Sequence, residues 1–237
     1  MAFRLFLSLL LMGYLPMSEA KKDPSVEATM SEPLLEASVT SLQSSLYTLR
    51  AKLDQSDPAG MYGYVHGTRL LVQRGLRLIE EQPENAEDIK QALIPVTYNL
   101  AADTWTGWPE DDVDPAYRRF GYEAAALNLK LRREKQQTGQ KLAMGLWIVG
   151  VHQLAAKEYK AAEATFDEYQ SLAEESGEQT HHLLMGRGWQ LVTRKLAGLA
   201  STEEHKEFDA LRDALNKEKD GEFYVRQMDT VIDRFLE

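Results

Sequence analysis

Apolar residues recur along this chain at alternating steps of three and four. Val39, Leu42, Leu46, Leu49 and Leu53 form the first such series, which paints one stripe down a helix. Asp57-Pro58-Ala59-Gly60 stops it. Met61, Val65, Val72, Leu76 and Ile79 continue the period as far as Pro83 and Asn85, which mark the next turn. Ile89, Leu93, Val96 and Leu100 make a third stripe, with Pro95 inside it as an expected kink. Phe120, Ala124, Leu127 and Leu131 make a fourth. No segment alternates polar and apolar residues long enough for a strand, so the pattern predicts an all-α fold.

Beyond Tyr122 the spacing predicts helices over Tyr122–Glu134, Gln140–Lys157, Tyr159–Glu175, Gln179–Leu199 and Glu203–Lys219. The breaks between them are short, which forces neighbouring helices antiparallel. A last amphipathic segment carries Phe223, Met228, Val231, Ile232 and Phe235. One pair reads LWIVGVHQLAAKEYKAAEATFDEYQSLAEESG. Gly150 stands one turn after Leu146, Tyr159 follows the break at Lys157-Glu158, and Ala162 and Phe166 lie four apart. Over Ala143 to Ser176 this resembles a tetratricopeptide (TPR) repeat, which has a Leu-Gly pair in its first helix and Ala-x-x-x-Phe in its second. Val149 stands before the glycine where leucine is usual, Gln153 replaces an aromatic, and no closing proline follows. The next pair, with Gly186 and Gly188, is a looser echo. The resemblance implies antiparallel hairpins stacked as a short solenoid, with Gly150 and Ala162 letting two helices approach and Phe166 filling the groove to the next pair. It also implies partner binding in general and fixes no particular partner.

The first residues add a compartment. Arg4 precedes an apolar run, Leu5 to Leu15, too short to span a bilayer, and Ser18-Glu19-Ala20 offers the small residues a signal peptidase reads. The expectation is a signal peptide over 1–20, cleaved after Ala20, a polar tether over 21–32, and one helical domain over 33–237. With no cysteine there is neither lipid attachment nor a disulfide framework, and a periplasmic or otherwise exported chain fits. A net charge of −10 argues against nucleic acid or an anionic membrane as partner. No membrane span is expected after signal cleavage. The oligomeric state is not readable.

Little in the sequence points to catalysis. Gly60-Met61-Tyr62-Gly63-Tyr64-Val65-His66-Gly67 lacks the Gly-Lys-Ser/Thr ending of a phosphate loop and reads as close helix packing. The five histidines form no His-x-x-x-His pair, although His152 and His181-His182 lie on helices expected to be neighbours. No metal or cofactor is expected, and no catalytic residue is assigned. Trp147 and Trp189 fall within apolar helix patterns and read as core.

The segment DTWTGWPEDDVDP, Asp103 to Pro115, is different. Asp114-Pro115 is a helix start, since aspartate caps free N–H groups and proline at the first position has none to lose. Asp111 and Asp112 would add charge favourable to that helix's positive end. Neither explains the length of the connection or the pair Trp105 and Trp108. Those indoles either staple the corner to the core or offer an aromatic face rimmed by Glu110, Asp111 and Asp112. Arg118 and Arg119 open the following helix, which also carries Arg132, Arg133 and Lys135. This basic group is a cationic counterpart for an acidic partner or a solvated face. The residues support a non-catalytic protein or peptide-binding scaffold. The alternatives are a small-ligand-binding protein using the loop for a sugar or cationic ligand, and a hydrolase using its carboxylates.

Overall fold

A computed structural model describes residues 42–53, 58–108, 113–176 and 180–236. Among these the chain is all-α. Its helices are α1 (Leu42–Lys52), α2 (Pro58–Glu81), α3 (Ala86–Asp103), α4 (Pro115–Glu134), α5 (Gly139–Ala155), α6 (Tyr159–Ser176), α7 (Thr180–Leu196), α8 (Thr202–Leu215) and α9 (Gly221–Phe235). A short 3₁₀ turn, Pro83–Asn85, joins α2 to α3. No described helix is long and apolar enough to cross a membrane. The expected signal peptide and tether lie outside the described residues. By its packing the chain separates into two compact units, one ending at Asp103 and the other running from Thr104 onward, where the sequence pattern suggests a single domain over 33–237.

In the first unit α1, α2 and α3 pack against one another. Leu42, Leu46, Leu49 and Leu53 are buried, as their spacing predicts. In α2 Met61 and Val65 are buried as predicted, and the register departs from the prediction further along the helix. Its fully buried line runs through Tyr64, Leu71 and Leu78, while Leu76 is exposed. Residues seven apart drift little around a helix, and Gly75 lies so close to Leu93 that a side chain there would collide. That contact sets which side of α2 meets α3. Pro95 sits inside α3 without ending it. Thr97 and Asn99 side chains donate to backbone carbonyls of that same stretch, including Pro95 O at 2.8 Å.

The interior of this unit holds a polar network. Arg50 donates to Asn99 Oδ1 at 3.0 Å and to Asp103 Oδ1 at 2.9 Å, and the Tyr64 hydroxyl donates to Asp103 Oδ2 at 2.5 Å. Burial by itself would lower the Arg50 pKa. The Asp103 carboxylate, then Tyr64 and Tyr47, and the hydrogen bond to Asp103 together outweigh that and raise it, so the guanidinium stays charged.

In the second unit each helix packs on the next in chain order, from α4 to α8, and α9 packs on both α7 and α8. Antiparallel hairpins stack in succession. Three of the tight corners are built alike. At the end of α5, Lys157 N–H donates to Leu154 O and Glu158 N–H to Gln153 O, with Lys157 left-handed at φ 59°. Gln136 after α4 and Gly198 after α7 repeat this arrangement at φ 51° and 69°. Each closes the last carbonyls of its helix and reverses the chain within a few residues.

Candidate functional site

The loop after α3 folds inward. Every residue from Thr104 to Trp108 is buried, with Trp105 at 0% and Trp108 at 3% exposure. Trp105 is the hub of an aromatic cluster that gathers all four tryptophans of the chain. Its ring lies 5.0 Å from Trp108, 5.7 Å from Trp147 and 6.5 Å from Trp189, each edge-on. Edge-to-face indoles at such distances add about 0.5–1.5 kcal/mol per pair beyond the area they bury. The Trp105 indole N–H donates to Val151 O at 3.1 Å, tying the loop to α5. Gly107 permits the tight return, since a side chain there would strike the Trp105 ring. From α9, Arg234 donates to Thr106 O at 2.8 Å. The stapling reading fits this geometry. With both indoles interior, an aromatic face presented to a sugar or amine loses its basis.

The repeat-like residues meet next to this hub. Ala162 and Phe166 are fully buried. The Phe166 ring occupies the space a side chain at Gly150 would need, and stacks on Trp189 at 5.7 Å and 15°. Gly150 therefore makes room for a ring as well as for a helix crossing. Tyr159 is only half-buried at the start of α6.

The polar members of the loop divide. Asp114 caps α4 by accepting from Ala116 N–H at 2.8 Å, with Pro115 at the first position. Glu110, Asp111 and Asp112 lie outside the described residues, as does any hydrolytic role for them. Arg118 is exposed and its Nε donates to Val113 O at 3.3 Å, while exposed Arg119 pairs with Glu123 at 2.8 Å. Arg132 does not belong to a solvated face. It is buried and donates to Asn128 Oδ1 at 2.7 Å, Gln137 Oε1 at 3.0 Å and Lys141 O at 2.7 Å. Arg133 reaches Glu168 on α6 at 2.6 Å.

The histidines do not converge. Among the described residues no three His, Cys, Asp or Glu side chains are grouped as metal ligands. His152 is buried and stacks on Tyr122 at 6.2 Å. The Tyr122 hydroxyl donates to Glu158 Oε2 at 2.5 Å. Burial first, and then the Glu158 carboxylate, push its phenol pKa up to about 12.

Two surface arrangements have little local signature in the sequence. One is a half-exposed strip at the starts of α7 and α9. His181 and His182 lie 4.1 Å apart, His181 stacks on Tyr224 at 6.4 Å, Phe223 meets Tyr224 edge-on at 5.2 Å, and Tyr169 hydroxyl lies 3.2 Å from His182 Nδ1. Only the doublets His181-His182 and Phe223-Tyr224, each opening a helix, hint at it. The other is a polar lacing of α7 to both neighbours. Arg187 grips Glu207 with two bonds of 2.7 Å, Gln190 donates to Asp167 at 2.7 Å, and Arg194 contacts Glu204 at 2.5 Å and Glu163 at 3.1 Å. Glu204 also completes a capping box with Ser201. The Ser201 backbone N–H, followed by Arg194, holds the Glu204 carboxyl at about 2. No protein-family model, curated protein or solved structure matches the chain.

Proposed function

We propose that this protein is an exported, non-catalytic interaction scaffold whose C-terminal, TPR-like helical array binds a protein or peptide partner. The observation that carries this reading is the half-exposed strip of His181, His182, Phe223 and Tyr224. Aromatic side chains on a rigid helical support are the residues that dominate binding energy at protein interfaces. The support is stiff because the tryptophan hub fills the interior and the arginines of α7 lace three helices together. Arg118 and Arg119, exposed on the first turn of α4, supply cationic positions on the same unit.

The test is affinity capture by the mature chain from its own envelope fraction. Phe223→Ala/Tyr224→Ala should abolish recovery of the partner while leaving the helical circular dichroism intact. Arg118→Glu/Arg119→Glu should weaken recovery in a salt-dependent way. Equal recovery by all three proteins would sink this surface as the binding site. Trp105→Ala is unsuitable here, because a buried indole reports on stability.

A further inference from the structure

We propose that the segment Thr104–Trp108 is an intramolecular ligand: it occupies a seat in the second unit that takes an extended peptide with two aromatic side chains three residues apart, and a partner bearing such a segment binds by displacing it. This seat is separate from the half-exposed strip and does not require the strip to bind anything.

The first support is what the segment touches. When antiparallel hairpins stack in succession, every second helix falls in one layer. The segment meets three such alternate helices. On α5, Trp105 lies 5.7 Å from Trp147 and donates to Val151 O at 3.1 Å. On α7 its ring faces Trp189 at 6.5 Å, and on α9 Arg234 donates to Thr106 O at 2.8 Å. A connection that only turned the chain from α3 into α4 would need neither α7 nor α9. The segment lies across the layer, as an extended peptide bound to a helical array would.

The second support is how the segment is held. Thr106 is gripped by its main-chain oxygen, a group every peptide offers, while the two indoles fill the seat. Main-chain bonds that give affinity and seated side chains that give specificity are how extended peptides are recognised. Gly107 lets both rings turn inward, since a side chain there would strike Trp105. The third support is what the segment leaves unmade. The N–H groups of Trp147 and Trp189 are buried without an acceptor among the described residues, whereas a finished interior pairs its donors. A peptide whose carbonyl reaches either one gains over the resident segment. That segment still sets a threshold. A tethered occupant competes at an effective concentration on the order of millimolar, so a peptide of about micromolar affinity for the open seat appears about a thousandfold weaker against the closed chain.

The probe is a fluorescein-labelled peptide of the segment's own sequence, Thr-Trp-Thr-Gly-Trp, titrated against the full chain, with a peptide carrying serine for both tryptophans as control. Trp105→Ala/Trp108→Ala vacates the seat and should bind the tryptophan peptide about a hundredfold or more tighter than the wild type. Added peptide should also raise the melting temperature of that variant. Gly107→Ala keeps both indoles and the whole seat but crowds the resident segment, and should bind the peptide about tenfold tighter than the wild type. Adding Arg234→Ala to the vacated chain should weaken binding about tenfold, because the peptide loses the donor that holds Thr106 O. Adding Phe223→Ala/Tyr224→Ala instead should change nothing. Wild-type binding as tight as that of the variants, binding of the serine peptide, or indifference to Arg234→Ala would each overturn the proposal. Loss of binding with Phe223→Ala/Tyr224→Ala would assign the peptide to the strip and overturn it too. So would absence of binding by a vacated chain that keeps its helical circular dichroism. If that chain does not fold, Gly107→Ala decides, and no gain over the wild type there overturns the proposal.

Discussion

The two units close their interiors with opposite chemistry. The first closes around a charged pair, Arg50 and Asp103, completed by Tyr64 and Asn99. The second closes around four indoles, with the Trp105 N–H donating to Val151 O and those of Trp147 and Trp189 buried without an acceptor among the described residues. A buried ion pair contributes little net stability because desolvation offsets the attraction, yet losing one partner strands the other. An indole cluster is stabilised mainly by area and shape, and its cost on truncation is a cavity. One interior depends on complete partnership and the other on volume.

That contrast can be broken first by removing its centres. Asp103→Ala and Trp105→Ala should each cost about 3–5 kcal/mol in chemical denaturation, by a stranded charge and by a cavity. They should differ in rescue. Arg50→Met/Tyr64→Phe/Asp103→Leu should recover most of that loss, short of wild type by the Asn99 oxygen left without its Arg50 donor, since apolar replacement of a buried ion pair is often neutral. No second polar substitution should rescue Trp105→Ala. Failure of the triple variant to recover would show that the network is worth more than its partnership.

Next in size is Gly150→Ala, which forces the Phe166 ring off its seat and should cost about 1–3 kcal/mol as overpacking. Smaller still is the difference between two conservative changes. The indole N–H groups of Trp147 and Trp189 are buried without an acceptor among the described residues. Trp105→Phe should therefore cost about 1 kcal/mol more than Trp189→Phe, the net worth of one hydrogen bond. The smallest effect is electrostatic and lies at the surface. With its carboxyl held at about 2 in the fold, Glu204 contributes stability that is present above pH ~4.5. That contribution falls away as the pH drops from there towards 2. Amide protection at the start of α8, taken relative to the intrinsic exchange rate at each pH, should fall over that window, and Glu204→Gln should remove the pH dependence.

The helices were legible because a period of three and four is a local property of the chain, and so was the cap at Asp114, whereas the seat of Phe166 on Gly150 was not, since the spacing marks each as a packing residue without pairing them. The joining of Trp105 to Trp147 and Trp189 was not, because those residues are 42 and 84 positions apart and nothing local encodes which distant ring will meet which. Arg50 left a readable trace: it stands on the stripe of Leu46, Leu49 and Leu53, where a charge demands a buried partner. Arg132 left the same trace beside Leu129 and Leu131. The register of α2 was misleading because Leu76 and Leu78 both suit a core, and only contact with α3 chooses between them.

The gathering of the indoles also gives the molecule separate optical signals. No tryptophan precedes Trp105, so the unit ending at Asp103 absorbs and emits through tyrosines such as Tyr47, Tyr62, Tyr64 and Tyr98. Indole emission comes from the other unit alone. Rings separated by 5.0–6.5 Å couple their transition dipoles, giving a chiral exciton signature that changes once any one of them leaves the cluster. Denaturation followed at the indole band of a single unlabelled sample thus reports the interior of the second unit alone.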